Sequence, residues 1–231
     1  MGTPMDLLLL AIDPRGRTWF GPRLSYTLPV AELIDLAQAG RIELRDGRVV
    51  VLDAANAREA PADFLLGKLG QYSGSTVFDW VAQRGPRRID PYLTNASGQG
   101  VVRIVTVAPG RKVLEVTDAE PIKAMTRRLV AVLDDPAPEL KDISFVVLAD
   151  AAGIARPHLR GWGHRRHRAC LSAMREATGG DMSTEILRAG ITAISKLSRR
   201  ASRLGSADPR TIDQQIGMTP NARQAAIWFR F

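Results

Sequence analysis

The sequence predicts a mainly α-helical, single-domain bundle edged by β-hairpins. Apolar residues recur at helical spacing in several separate segments. Asp46-Gly47 and Pro109-Gly110 each sit between runs of β-branched and aliphatic residues, the pattern of a tight hairpin. Ile143 to Ala152 is nearly continuous hydrophobe, and a helix apolar on all sides belongs in the centre of a bundle. At 231 residues and 25.2 kDa the chain fits one large domain, or one and a half. A compact domain of this size buries roughly 70–75% of its unfolded surface, enough for a core that needs no staples. The expected division is a helical domain over residues 1–204 and a mobile tail over 205–231.

In chain order, Met5 to Ile12 reads as a short buried helix and Asp13-Pro14-Arg15-Gly16 as a turn. Thr18-Trp19-Phe20 then forms an extended piece. A helix from Leu28 follows, with Pro29 in its first turn, where a missing N–H costs nothing. Val30, Leu33, Ile34 and Ala37 make its apolar stripe, and Ala31, Glu32, Asp35 and Gln38 its expected solvent face. Gly40 stands where a left-handed helix terminator is wanted. Counting outward from Asp46-Gly47 pairs Leu44 with Val49 and Ile42 with Val51 on one face.

Between 54 and 95 the reading is helical in short pieces. One stripe contains Asp63-Phe64-Leu65-Leu66 and Leu69, another Val77, Phe78, Trp80 and Val81, and a weak helix spans Asp90 to Ser97. Val101 to Thr117 is a second hairpin about Pro109-Gly110, apolar on both faces of its first arm, so both faces need cover. Thr117-Asp118-Ala119-Glu120 matches a capping box. The helix behind it carries Ile122, Met125, Leu129 and Val132 on one side, with Lys123, Arg127 and Arg128 elsewhere. His164 to Ala177 and Ser183 to Arg203 complete the helices, the latter ending in Arg199, Arg200 and Arg203, which suits the dipole. The chain closes on Ile227-Trp228-Phe229-Arg230-Phe231.

Charge and cysteine bound the function. Net charge is +8, which favours nucleic acid, an acidic membrane surface or a phosphorylated ligand. One cysteine, Cys170, excludes a disulfide framework and makes a reducing compartment the default. The Leu7–Leu10 run is too short for a signal peptide or a membrane span. Nucleophile elbow, phosphate-cradling loop and H-E-x-x-H signatures are all absent. His164, His167 and Cys170 do not share one helix face, a poor start for a tetrahedral metal site. Neither a catalytic activity nor a cofactor or metal is expected. Helix plus first hairpin has the layout of a DNA-binding winged helix, but carboxylates on the outer face would repel phosphate. A nucleic-acid-binding regulator is therefore the alternative reading.

The segment LIDLAQAGRIEL with its hairpin resembles the hallmark of the Golgi phosphoprotein 3 family, where such a helix runs straight into a hairpin. The LLLLAIDPRGRTWF preamble, the second hairpin, TDAEPIKAMTRRLVAVL, FVVLADAAGI and the Arg-rich helix from His164 follow in the family's order. The likeness covers about residues 5–204 and is most specific over 28–52. Richness in Arg, Ala and Gly resembles bacterial members. The resemblance implies a peripheral membrane protein at the cytoplasmic face of a membrane that binds phosphatidylinositol 4-phosphate through a Trp and basic residues. In eukaryotes, members also hold cytoplasmic tails of glycosyltransferases.

Carried over by position, the family's tryptophan falls at Phe20, beside Trp19. Its next arginine falls on Pro29, and its basic pair falls near Arg84, Arg87 and Arg88. Trp19, Phe20, Arg84, Arg87 and Arg88 are therefore the expected headgroup contacts. The second hairpin, through Val105, Val107, Pro109 and Gly110, is similar to one implicated in self-association and membrane contact.

Overall fold

A computed structural model describes residues 2–52, 74–84, 89–108, 111–159, 164–177 and 182–207. The helices are α1 (Thr3–Leu10), α2 (Pro22–Gln38), α3 (Val77–Arg84), α4 (Ile89–Gly98), α5 (Glu120–Asp134), α6 (Leu140–Ala152), α7 (His164–Ala177) and α8 (Met182–Ala207). A 3-10 turn spans Arg156–His158. The strands form two antiparallel hairpins: β1 (Ile42–Arg45) with β2 (Arg48–Val51), and β3 (Val102–Ala108) with β4 (Arg111–Val116). The mainly helical architecture with small hairpins is the one expected. Among the described residues, no helix is long and apolar enough to cross a membrane.

Helix α2 is the axis of the bundle, and it differs from expectation in two ways. It begins at Pro22, behind an extended Gly21, and Pro29 lies inside it. An interior proline costs about 3 kcal/mol in an isolated helix. Here the extra turns bury Leu24 and Leu28 completely, and such side chains contribute about 1.5–3 kcal/mol each. Tertiary burial therefore outweighs the local penalty. Second, there is no solvent face at Ala31, Glu32 and Asp35. Ala31 is fully buried, Glu32 is 1% exposed and Asp35 is half-buried; only Gln38 is open. The helix packs against α1, α3, α6 and α8, so partners cover both sides.

Helix α8 runs antiparallel to α2. At its start Met182 Sδ accepts from the Leu44 N–H, its middle sets Gly190 against Val30, and the Arg200 charge acts on Tyr26. A Cβ at Gly190 would collide with the Val30 side chain, so the glycine sets how closely the two helices approach. Helix α6 shares the centre: Phe145 to Ala149 are all fully buried, and Gly153 closes the helix at φ 78°.

The first hairpin follows the expected register, with Leu44 opposite Val49 and Ile42 opposite Val51. Asp46 and Gly47 both have positive φ, 52° and 71°, as a two-residue turn of this hand requires. Gly40 ends α2 at φ 66°.

Other expectations are modified. In the second hairpin, Val101 and Val102 are buried at the base, while Ile104 is 40% exposed further out, so cover is incomplete. Phe78 turns outward from α3, away from Val77, Trp80 and Val81. The capping box at Thr117 does not form: the Thr117 hydroxyl donates to the Gly100 carbonyl at 2.5 Å, and Glu120 pairs with Arg127. Helix α8 continues to Ala207, past the expected boundary. Residues 208–231 and the stripe at 63–69 lie outside the described residues.

Candidate functional site

The aromatic turn between α1 and α2 is a closed local structure. The Asp13 N–H donates to the Arg17 carbonyl at 2.7 Å, the Gly16 N–H to the Asp13 carbonyl at 2.8 Å, and Ile12 bridges Thr18. Gly16 has φ 80°, and a Cβ there would stand 3.0 Å from the Leu114 carbonyl oxygen, so the turn lies against β4 of the second hairpin. Trp19 is tied by its N–H to the Ala11 carbonyl at 2.9 Å. Both Trp19 and Phe20 are partly buried and rest on the core.

Trp19 meets His158 edge to face, with ring centroids 5.0 Å apart and planes at 76°. His158 Nε2 lies 2.8 Å from the Leu10 carbonyl oxygen, and Nδ1 lies 3.0 Å from Thr126 Oγ1. A carbonyl only accepts, so Nε2 carries the proton; in the neutral ring, Nδ1 then accepts from the threonine hydroxyl. Burial pushes the imidazole below its ordinary range, opposed by the Leu10 carbonyl and the Asp13 charge. The residue therefore joins α1, α5 and the aromatic turn as a neutral hub.

Arg84 ends α3. Thr76 and Asp79 cap that helix reciprocally, the Thr76 hydroxyl to Asp79 Oδ2 at 2.7 Å and the Asp79 N–H to Thr76 Oγ1 at 3.2 Å. Trp80, one turn before Arg84 and 2% exposed, carries the guanidinium 4.2 Å above its ring. The Arg84 Nη1 is buried and has no hydrogen-bond acceptor among the described residues. Trp19 thus belongs to the His158 contact and Arg84 to the Trp80 stack, with no partner common to both among the described residues. Arg87 and Arg88 lie outside the described residues, as do Pro109 and Gly110. Val105 is half-buried in β3, and Val107 continues that strand.

The remaining polar groups of the core are those that sequence reasoning missed. Glu32 accepts from the Tyr92 hydroxyl at 2.5 Å. Asp35 accepts from the Thr3 N–H at 2.8 Å and its hydroxyl at 2.5 Å. Arg128 Nη1 meets Asp6 at 2.6 Å, its Nε and Nη2 meet Asp142, and its guanidinium lies 4.7 Å from the Phe145 ring. Burial raises the Asp6 carboxyl above its usual range despite Arg128, and raises Asp35 despite Thr3. These groups tie α1 to α2, α5 and α6, and α2 to α4. A separate cleft of 400 Å³ lies between the first hairpin's turn, α3 and α8, lined by Gly47, Phe78, Ala189 and Lys196 among others. None of the expected site residues that the structure describes lines it.

A central buried helix running into a hairpin, a second hairpin against an aromatic turn, and a helical remainder define the Golgi phosphoprotein class of fold. The chain belongs to the Golgi phosphoprotein 3 (GPP34) family, whose sequence profile matches residues 4–194. A search of curated proteins returns no match.

Proposed function

We propose that the chain is a non-enzymatic adaptor that docks reversibly at the cytoplasmic face of a membrane by binding anionic phospholipid headgroups, phosphatidylinositol 4-phosphate being the finer candidate. The aromatic turn carries this reading. Trp19 is held by its backbone and by His158, yet is only partly buried, with Phe20 beside it. An indole packed on protein along one edge and wet along another suits the membrane interface. Arg84 adds a guanidinium stacked on Trp80, whose buried Nη1 has no acceptor among the described residues. A net charge of +8 supplies attraction to an acidic surface in any orientation. Self-association through the second hairpin and capture of membrane-protein tails are further parts of the proposal, drawn from the family.

Flotation with phosphatidylcholine vesicles carrying graded phosphatidylglycerol tests the reading, and Trp19→Ala should float less than the parent. Equal recovery on neutral and anionic vesicles overturns it. Phosphatidylinositol 4-phosphate against another anionic lipid at matched surface charge separates headgroup recognition from charge alone.

A further inference from the structure

We propose that the exposed ridge of α8 is the surface along which an anionic bilayer lies, an extended contact that reads lipid charge rather than headgroup identity. The proposal rests on the membrane reading above and assigns it a surface that neither the aromatic turn nor Arg84 contains.

Arg188, Lys196, Arg199, Arg200 and Arg203 are all exposed on this helix. At 100° per residue they fall within a sector of about 120°, over a length of roughly 22 Å. Opposite them, Ile186, Leu187, Ala193, Ile194 and Leu197 are buried against the bundle, so the ridge has one outward direction. The only described acidic side chain on that outward face is Glu185, at its N-terminal end.

The chemistry along the ridge is charge with little else. The Thr192 hydroxyl donates to the Arg188 carbonyl at 3.0 Å, the Ser202 hydroxyl to the Ser198 carbonyl at 2.9 Å, and Arg199 Nε to the Ser195 carbonyl at 3.1 Å. The two hydroxyls therefore spend their hydrogens on their own helix. No Asn or Gln stands on this face. Reading base edges needs such amides or forked donors aimed into a groove. A row of cations on a helix packed on the bundle from Ser183 to Ser198 suits a broad negative surface better.

Position favours a bilayer as that surface. Because α8 is antiparallel to α2, its basic C-terminal half lies toward the start of α2, where Arg200 acts on Tyr26. The Trp19-Phe20 turn leads into that same end of α2, and Arg23 is exposed one turn before Tyr26. The charged ridge and the interfacial aromatics thus meet at one end of the molecule.

The test compares three full-length proteins by sedimentation with phosphatidylcholine vesicles containing phosphatidylglycerol. They are the parent, Arg199→Glu/Arg203→Glu on the ridge, and Lys123→Glu/Arg127→Glu on α5, which makes the same change in net charge on another helix. Each cation at an anionic surface is worth about fivefold in partitioning, so the ridge variant should lose at least about tenfold. The α5 variant should lose much less, and the parent should not distinguish phosphatidylglycerol from phosphatidylserine at equal charge. Equal losses in both variants would make net charge the cause and overturn the ridge. A ridge variant that binds vesicles like the parent overturns it as well, while leaving the membrane reading standing. A parent that ignores anionic vesicles removes both. A ridge variant that loses binding to a short DNA duplex but keeps vesicle binding would assign the surface to nucleic acid instead. Circular dichroism checks that both variants fold.

Discussion

Tyr92 donates its hydroxyl hydrogen to Glu32 at 2.5 Å in the middle of the bundle, joining α4 to the central helix across sixty positions of sequence. A carboxylate that is 1% exposed needs its donors, since an unsatisfied buried polar group costs about 1–3 kcal/mol. Tyr92→Phe keeps the ring and deletes the donor. Its unfolding free energy in urea should fall by about 1–3 kcal/mol with an unchanged m-value. An unaltered midpoint would mean that the pair contributes nothing to stability.

The carboxyl of Asp35 gives a pH signature. Its folded pKa is raised above 3.8 by burial, so between that value and its folded pKa the native chain holds a proton that the unfolded chain has lost. Stability linked to Asp35 is therefore fully present below the unfolded value and is lost as pH rises through the folded one. Asp6 is raised in the same direction and adds to the effect. Asp35→Asn can keep the Thr3 N–H on its amide oxygen while its amide nitrogen donates to the hydroxyl. It should flatten the fall of the urea midpoint as pH rises above the ordinary carboxyl value of 3.8. Parallel curves for variant and parent would rule this out.

What could be read from the sequence was local. Asp46-Gly47 fixes the first hairpin's register because turn and pairing lie within ten residues, and Gly40 and Gly153 end helices by their own φ. The buried state of Glu32 and Asp35 could not be read this way. A helical wheel offers a dry side and a wet side, but α2 is covered on both, by partners as distant as Thr3 and Tyr92. The face argued to be acidic and outward is largely inside: Ala31 and Glu32 are buried and Asp35 is half-buried, with Gln38 alone open among the four. Thr117 to Glu120 had the letters of a capping box yet gave its hydroxyl to Gly100, while Thr76 and Asp79 formed one unnoticed. At the candidate site, the turn carrying Trp19 and Phe20 was legible as a local element, while its contact with His158 was not. The stacking of Arg84 on Trp80 was available from their i, i+4 spacing.

His158 gives the opposite pH sign. Burial lowers its pKa from 6.5, so the unfolded chain takes up a proton first as pH falls. The stabilising contribution is present above the unfolded value and is lost as pH drops through the folded one. Nitrogen-detected NMR should find the neutral Nε2–H tautomer, titrating with a midpoint below 6.5. A midpoint at or above that value would contradict burial as the dominant influence, and an Nδ1–H tautomer would contradict the hydrogen bonds to Leu10 and Thr126.

The close approach of α2 and α8 depends on Gly190, whose missing Cβ leaves room for Val30. Alanine favours an isolated helix by roughly 1 kcal/mol over glycine, so on propensity alone Gly190→Ala would stabilise the chain. Packing opposes this. The added methyl collides with a side chain that is itself fully buried between helices, and overpacking of this kind costs about 1–3 kcal/mol. The single variant should therefore lose stability. Val30→Ala alone should also lose stability, through the cavity it leaves. Together the two changes should be less damaging than their sum, because the new methyl fills part of the space the valine vacates. A double-mutant cycle on thermal or urea unfolding reads this coupling directly. Additive losses would mean that the helices separate rather than interlock at this point.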